Sequence, residues 1–188
     1  FMNLALYSPG RGYYAGGAYK FGAGGDFLTA PEISATFAQT LAVQVAQLLD
    51  LTSPHIVEVG AGSGQFAADL LLELARRGQL PKRYEILEVS GELRARQRNT
   101  IGQRAPHHLH CVRWLDYLPE HVDGLVLANE VLDAMPVHLV TWATEAIAER
   151  GVAVKDGQFI WRDRRAGGRL LEHAQALAEE CAIAPGYL

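Results

Sequence analysis

Cysteine is scarce in this chain, and long apolar runs are absent from it. Only Cys111 and Cys181 occur among the 188 residues, so a disulfide framework is excluded and a reducing compartment is favoured. No stretch reaches the roughly 18 consecutive apolar residues of a membrane-spanning helix. The first residues, FMNLALYSPGRGYY, also lack the basic start and apolar core of a secretory signal. These absences predict a cytoplasmic protein with no membrane span, or a mitochondrial matrix protein if a targeting segment has been removed.

Basic residues are also fewer than acidic residues in this chain. The chain carries 17 Lys and Arg residues against 21 Asp and Glu residues, which gives a formal net charge of −4. Because a nucleic-acid-binding surface is usually basic, this balance predicts no nucleic-acid partner. The composition, 49% hydrophobic and 20% charged, is that of a globular protein with one substantial core.

Glycine, in contrast, is abundant, and three glycines alternate directly after a predicted strand. The β-branched residues within 56–59 predict a buried strand. Gly60, Gly62 and Gly64 follow it and permit a tight turn that brings backbone N–H groups close to a ligand. From Gln65 onward the apolar residues have helical spacing. A strand, a glycine turn and a helix N-terminus in this order suit an anionic group of a cofactor.

This glycine turn has two chemical interpretations. A dinucleotide-binding fingerprint requires G-x-G-x-x-G, and its last glycine is replaced by Gln65 here. The pattern that is present, Glu58 followed by the three alternating glycines, resembles motif I of the class I methyltransferases that use S-adenosylmethionine. The pattern therefore favours S-adenosylmethionine over a nicotinamide dinucleotide.

Two acidic residues follow the next predicted strands. Glu88 closes the second strand, where its carboxylate is predicted to accept hydrogen bonds from both hydroxyls of a ribose. Ser90 is predicted to cap the helix that follows, which has Gln97 on its inner side. Asp116 lies just beyond a third strand at 110–114 and is the corresponding candidate for the amino group of adenine.

The fourth predicted strand, residues 124–130, is apolar until it stops at Asn129 and Glu130. Ligands of open α/β sheets bind at the carboxyl ends of the strands, and Asp133 adds a second carboxylate three residues later. These residues are predicted to hold a cationic or amine substrate. The alternative is that both carboxylates are helix N-terminal residues that interact with a helix dipole.

A metal site is the less favoured interpretation of a histidine-rich stretch. His107, His108, His110 and Cys111 complete no structural zinc pattern, because no second Cys/His pair lies nearby. We interpret them as a loop that enters a strand and predict no metal.

The order of the predicted elements indicates an α/β fold with a parallel, Rossmann-like sheet that is incomplete in this chain. A helix that begins at Pro31 or Ser34 and ends at Asp50 precedes the sheet. Its inner face is predicted to comprise four apolar residues: Phe37, Leu41, Val45 and Leu48.

Beyond residue 130 the pattern changes to short β-rich segments, with Asp156-Gly157 as a two-residue turn. A final helix follows Gly167-Gly168, with an inner face of Leu170, Leu171, Ala174, Leu177 and Cys181. The predicted division has four parts. They are an N-terminal Gly/aromatic arm and signature loop (1–35), a Rossmann-like core (36–130), an antiparallel β insertion (131–165) and a helix that begins a truncated remainder (166–188).

Five motifs in a fixed order carry a family resemblance: GYY, FGAGGDFLTAPEIS, EVGAGSGQFAADLL, LEVSGELRARQ and ANEVLDAMPVH. Together they resemble the MidA family, which includes the mitochondrial complex I assembly methyltransferase. The resemblance implies a class I methyltransferase fold and S-adenosylmethionine as cofactor. For the mitochondrial member it implies arginine methylation of a respiratory complex I subunit. Members of that family usually have G-P-G where this chain has Gly60-Ala61-Gly62, and they are longer.

The resemblance also implies roles for individual residues. Residues implied to bind or surround the cofactor are Glu58, Gly60, Gly62, Gly64, Glu88 and Asp116, with Thr29, Pro31, Glu32 and Ser34 in an N-terminal signature that closes over the site. Residues implied to face the substrate and to carry catalysis are Asn129, Glu130 and Asp133.

The predicted function is therefore S-adenosylmethionine-dependent methylation of a protein arginine, with a respiratory complex I subunit as a candidate partner. Three alternatives stay open at this point. One is a non-catalytic assembly factor that retains the cofactor fold, and another is an NAD-dependent oxidoreductase. The third is a methyltransferase that acts on a small molecule or on RNA, although the acidic charge balance argues against RNA.

Overall fold

The computed structural model describes residues 1–16 and 29–187, which form two compact units. One unit is Ala5–Met135, and the other is Phe1–Leu4 together with Pro136–Leu188. The predicted four-part division at residues 35, 130 and 165 stays a prediction. Three aromatic residues of the predicted arm lie outside the described residues: Tyr19, Phe21 and Phe27.

The larger unit contains a parallel sheet of four strands in the order β3-β2-β1-β4. The strands are β1 (His55–Val59), β2 (Arg83–Leu87), β3 (Val112–Leu115) and β4 (Leu125–Ala128). Helix α1 (Met2–Tyr7) begins in the smaller unit and ends in the larger one. The other helices of the larger unit are α2 (Ala30–Ile33), α3 (Thr36–Leu49), α4 (Gln65–Arg76) and α5 (Gly91–Arg104), with short 3-10 helices at Pro106–Cys111 and Leu132–Ala134. This architecture confirms the predicted α/β fold with a parallel sheet.

The core of this unit lies between β1, β2 and helices α3, α4 and α5. Ile56 and Val57 of β1 are fully buried, as a β-branched run between two neighbouring strands requires. Phe66, Leu70 and Leu74 of α4 are buried on one face, and the helix is followed by Gly78 in a left-handed conformation. The predicted strand, glycine turn and helix are thus all present.

Helix α3 differs from its prediction at both its start and its inner face. Ser34 has extended backbone (φ −159°, ψ 141°), so a four-residue helix ends there and a second helix begins at Thr36. Leu48 is 44% exposed, so its predicted inward position is wrong. The other three predicted residues are confirmed, because Val45 is buried and Phe37 and Leu41 pack half-buried against the core. The rest of the buried face is built largely from small side chains, which let the helix approach its neighbours closely: Ala38, Ala42, Ala46 and Leu49.

The smaller unit contains an antiparallel sheet of three strands in the order β5-β6-β7. The strands are β5 (Leu139–Trp142), β6 (Ile147–Lys155) and β7 (Gln158–Arg165). Asp156 and Gly157 have φ values of 50° and 76° and connect Lys155 to its partner Gln158, which confirms the predicted two-residue turn.

Helix α6 (Gly168–Glu180) follows the antiparallel sheet. Ala174 is buried, and its carbonyl accepts a hydrogen bond from Trp142 Nε1 at 3.1 Å. The prediction that Leu177 and Cys181 also face inward is wrong, because both are exposed. These two residues lie one and two turns beyond the contact with Trp142. Within residues 1–16 and 29–187, no helix is long and apolar enough to cross a membrane.

Candidate functional site

The carboxyl ends of β1, β2 and β4 meet at one edge of the parallel sheet. Val59, the last residue of β1, is in register with Leu87 on one side and Ala128 on the other. Gly60, Glu88 and Asn129 are therefore the first residues beyond three neighbouring strands. The structure brings together the glycine turn, the second-strand acid and the fourth-strand polar residues, as their positions in the sequence predicted.

The glycine turn has a backbone that other residues adopt only with strain. Gly60, Gly62 and Gly64 have φ values of 66°, 55° and 84°. A Cβ on Gly60 would lie 3.2 Å from Val131 Cγ2, and a Cβ on Gly64 would lie 2.9 Å from Gln97 Cα. The glycines are needed both for the direction of the turn and for the close approach of its neighbours.

Glu88 lies beside this turn and is only 6% exposed. One carboxylate oxygen accepts from Ser90 N at 2.9 Å, and the other accepts from Gln97 Nε2 at 3.0 Å. Burial raises the pKa of Glu88, and these two hydrogen bonds partly oppose that rise. Each carboxylate oxygen can accept a further bond, so the residue fits a role as acceptor for a pair of ribose hydroxyls.

Gln97 connects the turn to this acid and was not predicted as a site residue. Its Nε2 also donates to the Gly62 carbonyl at 3.1 Å, and its Oε1 accepts from Trp114 Nε1 at 2.9 Å. The side chain is completely buried in α5. The signal in the sequence was a glutamine on the inner face of the helix, where an apolar residue is expected.

Arg94 is a second contributor that the sequence reasoning missed. Its guanidinium donates to the Glu88 carbonyl at 2.6 Å, to Asp116 Oδ1 at 2.8 Å and to the Leu115 carbonyl. The Asp116 side chain is 75% exposed and keeps its other oxygen available. Its predicted role at the adenine amino group stays a prediction.

Glu58 is buried in the core beneath the turn rather than exposed at the edge of the sheet. It is 4% exposed and accepts a hydrogen bond from the Tyr84 hydroxyl at 2.8 Å. Burial raises the pKa of Glu58 to about 7, although the bond from Tyr84 opposes this change. A direct contact between Glu58 and a cofactor stays a prediction.

The raised pKa of Glu58 predicts a specific dependence of stability on pH. Between pH 4.5 and about 7 the carboxyl group is protonated in the folded chain and ionised in the unfolded chain. The folded state therefore binds more protons in this range, and its stability falls as the pH rises through it. We expect Glu58→Gln to leave stability unchanged at pH 4.5 and to raise it by about 1–3 kcal/mol at pH 8. Urea unfolding of the wild-type protein and the variant at both pH values measures this difference in the free energy of unfolding.

Glu120→Gln is the matched control for that experiment, because Glu120 is exposed in the same unit. This variant should keep the pH dependence of the unchanged protein. If Glu58→Gln keeps the same dependence, the carboxyl group of Glu58 is not its source.

The N-terminal signature contacts the glycine turn through two of its four residues. The Ser63 hydroxyl donates to Glu32, and Gln65 Nε2 donates to the Pro31 carbonyl at 3.1 Å. Ser34 is exposed, and its hydroxyl oxygen accepts from Thr36 N at 3.1 Å at the start of α3. Thr29 precedes α2 with extended backbone. Cofactor contacts by Thr29 and Ser34 stay predictions.

We name residues 129–135 the acceptor segment. Glu130 has a left-handed backbone (φ 51°), Val131 lies over Gly60, and Asp133 belongs to a three-residue 3-10 helix. Glu130 and Asp133 are exposed, whereas Asn129 is half-buried. A helix this short has little dipole, so the dipole alternative does not account for the two carboxylates. Both carboxylates are exposed to solvent, and their predicted role in holding a cationic substrate stays a prediction.

The N-terminal arm, residues 5–16, packs against the same edge. The Tyr7 hydroxyl donates to the Ala134 carbonyl at 2.7 Å, and the Ser90 hydroxyl donates to the Tyr14 carbonyl at 3.0 Å. A cavity of about 290 Å³ lies between the arm and residues 89–92. Tyr7 and Tyr14 thus hold this arm against the rest of the protein.

The histidine-rich stretch forms a 3-10 helix, Pro106–Cys111, rather than a loop. His110 Nδ1 lies 2.8 Å from the His107 carbonyl oxygen, so these residues bond within their own turn. In the part of the chain that the structure describes, no group of three or more His, Cys, Asp or Glu side chains is placed to hold a metal ion.

Comparisons with known proteins agree on one family. A family model described as "Putative S-adenosyl-L-methionine-dependent methyltransferase" matches residues 40–187. Among solved structures, the chain is similar to a COG1565 superfamily member from Burkholderia thailandensis bound to S-adenosyl-homocysteine. The sequence identity is 51% and the TM-score is 0.82, over 94% of this chain and 47% of that chain.

Curated relatives give more distant similarities. The chain is 32% identical over 162 residues to the mitochondrial protein arginine methyltransferase NDUFAF7 homolog of Drosophila melanogaster. It is 30% identical over 164 residues to mitochondrial protein arginine methyltransferase NDUFAF7 of Mus musculus. Each match covers 73% of this chain and 37% of the relative, so the chain spans less than half the length of these proteins.

Proposed function

The chain belongs to the MidA-like family of S-adenosyl-L-methionine-dependent methyltransferases, and from this premise we propose that it forms the cofactor-binding part of a protein arginine methyltransferase. The family membership confirms the resemblance found in the motifs and the class I methyltransferase sheet. The observation that carries the proposal is the arrangement of three left-handed glycines beside the buried, hydrogen-bonded Glu88. The S-adenosyl-homocysteine bound to the similar B. thailandensis structure supports the same cofactor here.

The residues at the sheet edge fit this cofactor. S-adenosylmethionine supplies a methyl group that is already activated on its sulfonium sulfur, so the protein has to bind, orient and exclude water. The turn at Gly60–Gly64 would present backbone N–H groups to the carboxylate of the methionine end. Glu88 would accept hydrogen bonds from the ribose hydroxyls, held in place by Gln97 and Ser90.

The acceptor segment fits an arginine side chain. A guanidinium is planar and cationic, and carboxylates are the groups that hold it in a fixed orientation. Glu130 and Asp133 would form this clamp, and Asn129 would orient it from the end of β4. The cofactor would supply the methyl group to an Nη atom with loss of its carbon–sulfur bond, and Glu130 or Asp133 would accept the proton that the guanidinium releases. The arginine specificity is supported by the names of the insect and mouse relatives.

Glu130→Gln is expected to separate chemistry from cofactor binding. The amide keeps the shape of the side chain but holds a guanidinium less strongly and accepts no proton, so turnover should fall about 100-fold or more. The Kd for S-adenosyl-homocysteine should change less than about twofold, because Glu130 is exposed beyond β4. Calorimetry and a radiolabelled methyl-transfer assay measure the two quantities.

Glu120→Gln, an exposed Glu→Gln change elsewhere in the same unit, is the control and should affect neither quantity. A variant at Glu130 that loses cofactor affinity would move this residue into the cofactor pocket and away from the acceptor clamp.

One experiment tests the function as a whole. The purified protein is titrated with S-adenosyl-homocysteine and, separately, with NADH. It is then incubated with methyl-labelled S-adenosylmethionine and a protein extract, followed by acid hydrolysis and identification of methylated amino acids. The proposal expects heat with S-adenosyl-homocysteine and labelled methylarginine. Heat with NADH alone would indicate an oxidoreductase, and cofactor binding without transfer would indicate a non-catalytic assembly factor.

The protein partner, with a respiratory complex I subunit as candidate, and the cytoplasmic location stay predictions.

A further inference from the structure

The N-terminal arm is held together by its own backbone and by two stacked rings. Tyr13 N donates to the Ala5 carbonyl and Tyr14 N to the Leu6 carbonyl, each at 2.7 Å. The rings of Tyr7 and Tyr14 stack with centroids 5.5 Å apart and planes 25° apart. The arm therefore presents the two rings as a unit rather than as independent side chains.

The stacked pair of Tyr7 and Tyr14 contacts both ends of the candidate site. Tyr7 donates its hydroxyl hydrogen to Ala134 in the acceptor segment, and Tyr14 accepts through its carbonyl from Ser90, two residues beyond Glu88. Burial raises the pKa of both phenols, and a nearby carboxylate adds to each rise, Glu88 at Tyr7 and Asp133 at Tyr14. The two tyrosines thus connect the acceptor segment, through Ala134, with the start of α5, through Ser90.

The acceptor segment requires contacts with other parts of the chain to keep one conformation. Its own backbone bonds, Ala134 N to Val131 O and Met135 N to Leu132 O, close only a single short turn. Glu130 is in the left-handed conformation that disfavours side chains larger than glycine. A strained segment of this kind keeps one conformation only when neighbouring groups fix it. Val131 above Gly60 fixes one side, and the Tyr7 hydroxyl fixes the other.

We propose that Tyr7 and Tyr14 are positioning residues, which hold the acceptor segment, with Glu130 and Asp133, at a fixed place above the glycine turn. Tyr7 does this through its hydroxyl, and Tyr14 does it by stacking on Tyr7 and fixing the direction of that ring. The effect on methyl transfer rests on the proposed function, whereas the effect on the segment itself does not. An error of about 1 Å in the position of a reacting group costs on the order of 100-fold in rate.

Hydrogen exchange on the purified protein tests the structural half of this inference. Tyr7→Phe keeps the stacked ring and removes only the bond to Ala134. We expect the amides of Ala134 and Met135 to exchange about two- to tenfold faster, the effect of losing one hydrogen bond. Tyr14→Leu should give a similar increase, and the double variant should exchange no faster than Tyr14→Leu alone, because both changes break one unit. Tyr117→Phe, at a tyrosine 86% exposed, is the matched control.

Activity measurements on the same variants test the functional half. Tyr7→Phe should lower kcat about ten- to a hundredfold and leave the Kd for S-adenosyl-homocysteine within about twofold, whereas a general loss of structure would weaken both. Unchanged exchange at Ala134 and Met135 would overturn the inference. Equal loss of cofactor affinity would do the same, since the tyrosines would then act on the cofactor. If the wild-type protein neither binds S-adenosyl-homocysteine nor transfers a methyl group, the proposed function is refuted and the exchange result still stands.

Discussion

Replacing Gly64 by alanine is expected to abolish measurable S-adenosyl-homocysteine binding and to lower the free energy of unfolding by about 2–4 kcal/mol. Two effects add at this position. The residue has φ 84°, which costs a side chain about 1–2 kcal/mol, and its new Cβ would lie 2.9 Å from Gln97 Cα. Because that neighbour is backbone, it cannot rotate away. Either α5 or the turn has to move, and both carry the candidate cofactor contacts.

Gly78→Ala separates the two effects. Gly78 also has a left-handed backbone, with φ 74°, but a Cβ there would meet no atom within 4 Å. This variant should lose about 1–2 kcal/mol and keep its affinity for S-adenosyl-homocysteine. Calorimetry and urea unfolding of both variants measure the difference. If Gly64→Ala binds as tightly as the unchanged protein, the glycine turn is not part of the cofactor site.

The parts of the site that the sequence predicted are those that local chemistry determines. The alternating glycines identify their own turn, because almost no other residue adopts positive φ repeatedly. Glu88 was found because a parallel strand ends at the same edge as its neighbour, which the register of Val59 with Leu87 confirms. The two-residue turn at Asp156-Gly157 is equally local.

The parts that the sequence did not predict depend on which residues meet across long separations. Arg94 reaches Asp116 and the end of β3 only after α5 has packed on the sheet. The inward face of α3 follows from how closely its alanines can approach α4, and spacing of large apolar residues pointed to Leu48 instead. Nothing in the composition of the N-terminal arm indicated Ala134 as the partner of Tyr7. Periodicity identifies elements, and tertiary packing decides their partners.

Gln97 is the strongest case of this kind, and replacing it is expected to cost more stability than replacing Gly64. Gln97→Met keeps the length of the side chain but removes the partner of three groups: the half-buried Gly62 carbonyl, one oxygen of the buried Glu88 carboxylate and the half-buried Trp114 Nε1. Two of these groups are only half-buried, so each loss should cost about 1–2 kcal/mol, and the free energy of unfolding should fall by about 3–6 kcal/mol. The Kd for S-adenosyl-homocysteine should rise about 30-fold or more, since the turn and the ribose acid are no longer joined.

Gln103→Met, at an exposed glutamine of the same helix that bonds Asn99, is the control and should change stability by less than about 0.5 kcal/mol.

The pH dependence of binding distinguishes a positioning role of Gln97 from a loss of stability alone. Burial raises the pKa of Glu88, and the hydrogen bond from Gln97 is one of the groups that hold it down. Without that donor the pKa rises further, so the carboxylate needed for the ribose hydroxyls is lost at a higher pH on acidification. Calorimetric titrations from pH 5 to 8 measure the affinity for S-adenosyl-homocysteine as the pH falls. In Gln97→Met this affinity should be lost at a higher pH than in the wild-type protein, and in Gln103→Met it should be lost at the same pH. If affinity is weaker but is lost at the same pH as in the wild-type protein, Gln97 supports the fold without acting on the ionisation of Glu88. The link between the glycine turn and the ribose acid would then contribute only to stability.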